Sequence, residues 1–264
     1  LDYVHVDKIL FPVGNGSTEP LYAFLSNSEY AVIKIFNNTE GNLALVNEYI
    51  CYKLAKILKL PIPDAGIAYI DNNTEVSANV SITSENYGPC YFSKRLDKVV
   101  IVNCSVIKFI SNKQDFYRVL LFDHLIYNKD RNVGNLLVSL KSDDHRFYAI
   151  DHTHVFKNEC IWDGNSLLRG IEDNDYKDTN IIDSNKEVYN YFFQSMFINE
   201  RVLLETCTDF KSRLTKSLLY DIISDIPKQW NVNSSDLNIL VEYLTYRLFH
   251  LEDICEVILS NIRR

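Results

Sequence analysis

The chain has 264 residues with a net charge of −8, and it is 47% hydrophobic, 12% aromatic and 23% charged. That apolar and aromatic content excludes a disordered chain, and 8 Gly with 6 Pro exclude collagen-like or linker material. The acidic balance has the wrong sign for a general nucleic-acid binder, and no apolar run reaches the roughly 18–20 residues of a membrane span. The length supports a substantial core, in one bilobed domain or two small ones. The first residues, LDYVHVDKIL, carry Asp and His where a signal core would be apolar. Cysteines stand singly at 51, 90, 104, 160, 207 and 255, with no CxxC pair and no zinc spacing. Such thiols suit a reducing compartment, so a cytoplasmic protein without a membrane span and without a nucleic-acid partner is expected.

Short apolar runs at 21–25, 30–36, 66–70 and 89–93, punctuated by Gly, Asn, Ser and Pro, predict strands. One helix interrupts them over 43–58, with Leu43, Val46, Ile50, Leu54, Ile57 and Leu58 at helical spacing and Pro61 and Pro63 beyond its end. From about residue 101 the pattern turns helical. Residues 115–127 are apolar on more than one face, which predicts a buried helix. Two strands, 135–140 and 146–151, follow around the polar turn at 141–145. Helices are then predicted near 166–171, 186–196, 200–206, 210–224 and 235–262. The expected fold class is therefore α+β and bilobal: an N-terminal antiparallel sheet with one helix (1–96), then a mostly helical C-terminal lobe (97–264). A cleft between lobes is the natural place for a ligand.

Lys34 lies inside the apolar run AVIKIF, where a buried ammonium requires an anion, although alternation along 30–36 also allows an outward-facing strand lysine. Glu48 on the following helix can face that strand, and a strand lysine paired with a helix glutamate resembles the way kinases hold the α/β-phosphates of ATP. Upstream, Gly14 and Gly16 in VGNGSTEP let backbone N–H groups approach phosphates closely, beside Ser17 and Thr18. An ordinary hairpin loop would read the same way. Kinase catalytic loops place an aspartate five residues before an asparagine. The spacing occurs at Asp123/Asn128, Asp130/Asn135 and Asp175/Asn180. Asp123 falls within a predicted helix, where it could bond the loop that follows. Asp175 lies in the polar run EDNDYKDTN and is expected in a solvated loop. Only Asp130 sits between a buried helix and a strand. Asp151 ends the next strand, which would bring a carboxylate beside Asn135 and give Mg²⁺ two oxygen donors. The following His152 and His154 are read as local hydrogen-bonding groups rather than a transition-metal pair.

Together VGNGSTEPLYAF, YAVIKIF, LALVNEYICYKLAKILKLPIPDAG, LLFDHLIYNKDRNVGNLLV and FYAIDHTHVF resemble the HipA-like kinase family over residues 8–155. A weaker extension runs through the C-terminal helices to DIPKQW. HRD, DFG and APE are absent, so protein kinases in the narrower sense match less well. The resemblance implies a two-lobe kinase fold and ATP- and Mg²⁺-dependent phosphoryl transfer to Ser or Thr of a protein. In it Lys34 binds the α/β-phosphates, Asp130 is the catalytic aspartate, and Asn135 and Asp151 hold Mg²⁺. Some members phosphorylate a serine of their own Gly-rich loop, for which Ser17, then Thr18, corresponds. The segment Tyr91-Phe92-Ser93 is expected as the hinge that meets adenine, with Val32, Leu137 and Ile150 as apolar walls. Asn132 stands where a His is often seen, and the additional N-terminal domain of the larger toxin-type members is not visible, so a toxin role does not carry over. A nucleotide-binding pseudokinase acting through partners, or a kinase for a lipid or small-molecule acceptor, remain the alternative readings.

Overall fold

The computed structural model describes residues 4–14, 16–141 and 144–262; Asn15 of the glycine-rich stretch, Ser142 and Asp143 of the polar turn, and the chain ends lie outside the described residues. β1 (Val4–Pro12) buries Val6 and Ile9 three residues apart, whereas in β2 (Leu21–Leu25) and over Tyr30–Ile33 of β3 (Tyr30–Lys34) buried and less buried side chains alternate. After α1 (Asn42–Ile57) come β4 (Ala65–Ile70), the short β5 (Glu75–Val76) and β6 (Gly88–Lys94). The strand order is β2-β3-β6-β4-β1-β5, and β1 also pairs with β2. With β2 on one edge and β4 on the other, β1 closes the sheet into a ring around Val6, Ile9, Leu21, Leu25, Ile33, Ile70 and Phe92.

The sheet corrects the expectation of a purely antiparallel lobe, because β1 runs parallel to both β4 and β5. Parallel neighbours need a crossover, and the chain between β1 and β4 supplies one through α1. Strand β1 reaches both partners because it is irregular, with register shifts between Val6 and Lys8 and between Ile9 and Phe11.

The helix α1 belongs to the second, larger core. Its Leu45, Val46, Ile50 and Leu54 pack in the same cluster as α2 (Phe116–Leu125), whose apolar residues are buried on all sides. The sheet in this part has three strands rather than two: β7 (Val99–Ile101) pairs with β8 (Leu136–Ser139), and β8 with β9 (Arg146–Ala149). Three residues are too few for alternation to reveal β7.

The remaining helices are α3 (Gly164–Glu172), α4 (Asn180–Ser195), α5 (Glu200–Arg213), α6 (Lys216–Ser224), α7 (Ser234–Phe249) and α8 (Leu251–Ile262). The helix expected over 210–224 is broken because Thr215 caps α6, its hydroxyl accepting from the Leu218 N–H. The one expected over 235–262 breaks at His250. Asp175 is not in a solvated loop: it is buried against the guanidinium of Arg247 and accepts a hydrogen bond from the Tyr243 hydroxyl at 2.6 Å. The buried cation on α7 needs that counter-charge. No helix among the described residues is long and apolar enough to cross a membrane.

Candidate active site

A cavity of about 900 Å³ lies between the strand-rich and the helical parts. Lys34, at the end of β3, reaches its base. The Lys34 ammonium donates to Glu48 Oε1 at 2.5 Å, Asp151 Oδ1 at 2.8 Å and Thr153 Oγ1 at 2.5 Å, and its side chain is 9% exposed. Burial opposes the lysine charge, but Asp151 and then Glu48 outweigh it and raise the ammonium pKa above its ordinary value. Burial raises Glu48, with Lys34 acting against it. Asp151 is also penalised by burial, yet Lys34 holds its carboxyl well below the usual range. Lys34 lies on the Val32 face of β3, opposite the core residues Ala31 and Ile33; that face would be outward in an isolated sheet, and here Glu48 and Asp151 converge on it and enclose the ammonium.

Asp151 has a left-handed backbone, φ +56°, a conformation that short polar residues tolerate better than most. The turn points its carboxylate to Lys34. Its neighbour His152 goes into the core, where it accepts from Arg131 Nη2 at 2.9 Å. Burial, then Arg131, hold that imidazole well below its ordinary pKa and neutral. His154 lies elsewhere, within 3.2 Å of Ser17 Oγ, so the two histidines do not share a ligand.

The loop carrying Asp130 is fixed from beneath. Asn128 Nδ2 donates to Asp123 Oδ1 at 2.9 Å, and the Asp130 N–H donates to Asn128 Oδ1 at 2.9 Å. Asp123 on α2 therefore does bond the following loop. Arg131, with no exposure, donates to Asp123, to the Asn135 carbonyl at 3.2 Å and to the Ile150 carbonyl at 2.8 Å. One guanidinium thus joins the Asp130 loop to the turn before Asp151. Asn132 caps the short turn Val133–Asn135 by accepting from the Gly134 N–H, and its amide donates to Asp130 Oδ1 at 3.1 Å. Asn135 Nδ2 donates to the Asp130 carbonyl at 2.7 Å.

Of the residues singled out in the sequence, Gly16, Ser17, Lys34, Glu48, Ser93, Asp130, Asn135, Leu137, Ile150 and Asp151 line the cavity, as do Val32, Tyr91, His152 and His154. Gly14, Thr18 and Phe92 do not. Gly14 is exposed at φ +91°, Thr18 is 2% exposed, and Phe92 faces into the ring of the sheet. The segment expected as the hinge, Tyr91-Phe92-Ser93, has its backbone engaged in the sheet. β6 is paired on both edges, with Val32 opposite Ser93 on one side and Ala65 opposite Ser93 on the other, and the Lys94 and Arg95 N–H groups donate to Asp64 and Tyr30 carbonyls. Cavity-lining backbone outside this sheet pairing begins beyond Arg95, at Leu96. Sequence reasoning missed Thr153 and the scaffold of Arg131 and Asn47. Asn47 Nδ2 donates to the Thr153 carbonyl at 2.7 Å and its Oδ1 accepts from Trp162. The Asp123/Asn128 spacing, ending three residues before Arg131, was the available signal for the part of that scaffold on the Asp130 loop.

The donor chemistry at Asn135 and Asp151 suits a divalent cation that prefers oxygen ligands. Asn135 commits its amide nitrogen to Asp130, which leaves the amide oxygen as its ligand atom, and Asp151 commits Oδ1 to Lys34 and to the Thr153 N–H.

Residues 6–166 match the family model described as HipA-like kinase. No match to the chain was found among curated proteins. Among solved structures, the proinflammatory kinase CtkA of Helicobacter pylori superposes with a TM-score of 0.61 at 15% identity, covering 95% of each chain. HipA of Shewanella oneidensis MR-1, solved with HipB and operator DNA, gives 0.53 at 13% identity, covering 94% of this chain and 67% of that one. The Golgi casein kinase with Mn/ADP bound gives 0.55 at 12% identity, covering 97% and 72%. These likenesses show a kinase-like fold. With its family model spanning more than half of its length, and with that fold, the chain belongs to the HipA-like kinase family of phosphotransferases.

Proposed function

We propose that the chain binds ATP with Mg²⁺ in this cavity and transfers the γ-phosphoryl group to a serine or threonine hydroxyl of a protein. The observation that carries the reading is the convergence of Lys34, Glu48 and Asp151 in the one cavity that Asp130 and Asn135 also line. A pseudokinase would be expected to have lost one of these groups.

In this reading Lys34 binds the α/β-phosphates and Glu48 keeps its ammonium in place. Mg²⁺, held by Asn135 and Asp151, would neutralise charge on the transferring group. Asp130, steadied by Asn132, orients the acceptor hydroxyl and takes its proton as the new O–P bond forms and the β–γ bridging bond breaks, releasing ADP. Val32, Leu137 and Ile150 supply apolar surface for the base. Ser17 is the better candidate for self-phosphorylation in the Gly-rich loop, because it is exposed and Thr18 is buried.

The test combines radiolabelled ATP with mass spectrometry for phosphate on Ser17 and on candidate acceptors. Asp130→Ala and Asp151→Ala should both abolish transfer, while only Asp151→Ala strongly weakens Mg²⁺-dependent nucleotide binding. Wild-type transfer by both variants would overturn the assignment.

A further inference from the structure

Beside the Gly-rich loop, on the side of His154, a second group of donor atoms converges. Glu40, in the connection from β3 to α1, His154 and Cys160 each offer one ligand atom, and all three lie within 4.8 Å of one another. Among the described residues no other grouping of three or more His, Cys, Asp and Glu side chains does so. His154 Nδ1 is 3.7 Å from Cys160 Sγ. Bonds of about 2.1 Å to an imidazole nitrogen and about 2.3 Å to a thiolate, at the tetrahedral angle, put nitrogen and sulfur about 3.6 Å apart. The pair is therefore already spaced as neighbouring ligands.

The surroundings hold this spacing. Nε2 of the same imidazole lies 3.2 Å from Ser17 Oγ. With its proton on Nε2 and donated to Ser17, the ring turns the Nδ1 lone pair toward Cys160. Asn47 anchors both ends of the intervening loop, donating to the Thr153 carbonyl at 2.7 Å and to the Glu159 carbonyl at 3.3 Å. Glu159 Oε2 is 3.5 Å from Nδ1, so a carboxylate or water can complete a fourth position.

We propose that Glu40, His154 and Cys160 form a binding site for a borderline-soft divalent cation of the zinc class, distinct from the oxygen site at Asn135 and Asp151. Thiolate and imidazole donors select such an ion over Mg²⁺, which prefers oxygen ligands. On binding, the Cys160 thiol, which donates to the Thr153 carbonyl at 3.3 Å, releases its proton to solvent and the sulfur becomes a ligand. The site also meets the Gly-rich loop, since Thr39, next to Glu40, donates to the Ser17 carbonyl at 2.7 Å while His154 meets the Ser17 hydroxyl. Occupancy and the position of that loop are thereby linked.

The experiment is a titration of the whole chain with Co²⁺ alone, in a Cys104→Ser background that removes the exposed thiol. The expected result is a thiolate-to-cobalt charge-transfer band with visible bands of tetrahedral intensity, bleached by Zn²⁺. Cys160→Ser should abolish the charge-transfer band, and Glu40→Gln should weaken Co²⁺ binding by ~10-fold or more. Should Cys160→Ser not fold, His154→Ala must produce the same weakening. Asp151→Asn should keep the band. No charge-transfer band, a band retained without Cys160, or one lost instead with Asp151→Asn would overturn the proposal.

Discussion

Removing the charge of Asp123 tests whether the Asp130 loop is held from the helix beneath it. Every group around this carboxylate is a donor: Asn128 Nδ2, Arg131 Nε and Nη2, and the Tyr189 hydroxyl at 3.1 Å. Both side chains of the Asp123–Arg131 pair have 0% exposure. Asp123→Asn keeps the shape but leaves a guanidinium without its counter-charge and turns an amide toward other donors. Breaking a buried pair from one side costs about 3–5 kcal/mol. For a domain of this size that lowers the melting temperature by about 6–20 °C. The control is Glu205→Gln, which breaks the exposed pair with Arg201, 86% and 61% exposed, and should cost less than about 0.5 kcal/mol. Thermal unfolding followed by circular dichroism measures both. A melting temperature for Asp123→Asn within about 2 °C of the parent would refute the reasoning, since it would mean the guanidinium finds solvent or another anion.

Three further outcomes follow from the same geometry. Thr153→Val, which is close in shape, removes an acceptor from Lys34 and a donor from Glu48, and should cost about 1–3 kcal/mol in urea unfolding; an unchanged midpoint would remove Thr153 from the cluster. Gly16→Val should sharply reduce the thermal shift produced by Mg-ATP, because φ is +100° and an added Cβ would lie 3.2 Å from the Pro20 ring; unaltered nucleotide affinity would exclude this loop from phosphate binding. Burial pushes the His124 imidazole down to about 4, so between about pH 6.5 and 4 the unfolded chain takes up a proton that the folded one refuses. Stability should fall as the pH drops through that window, by about 3 kcal/mol in total from this residue. Urea midpoints of His124→Leu should be flatter with pH by that amount, and parallel curves for the two proteins would contradict it.

Much of this protein could be read along the chain because its signals are local. The strands at β2 and β6 and the helix α1 follow from side-chain period and from proline placement, and the Asp130 loop stands out because a buried helix precedes it and a strand follows. The bounds that shifted did so where a local signal was weak. β7 is too short for alternation to register, and the break before α6 depends on a single threonine cap.

Residue order alone determined that a lysine in an apolar strand, a helix glutamate and three loop oxygen donors occur in kinase order. Tertiary structure decided what each of them meets. Alternation sets Lys34 on the Val32 face of β3, opposite Ala31 and Ile33, and only the approach of Asp151 and Thr153, more than a hundred residues later, encloses its ammonium there. Asp175 reads as solvated until Arg247 of α7 is brought against it. Phe92 fits a hinge until both edges of β6 are paired and its ring enters the core. His154 and Cys160 carry no recognisable metal spacing, yet the fold sets them 3.7 Å apart with Glu40 alongside. The physical reason is the same in each case: a charge or donor finds its partner through long-range packing, and packing leaves no periodic mark in the chain.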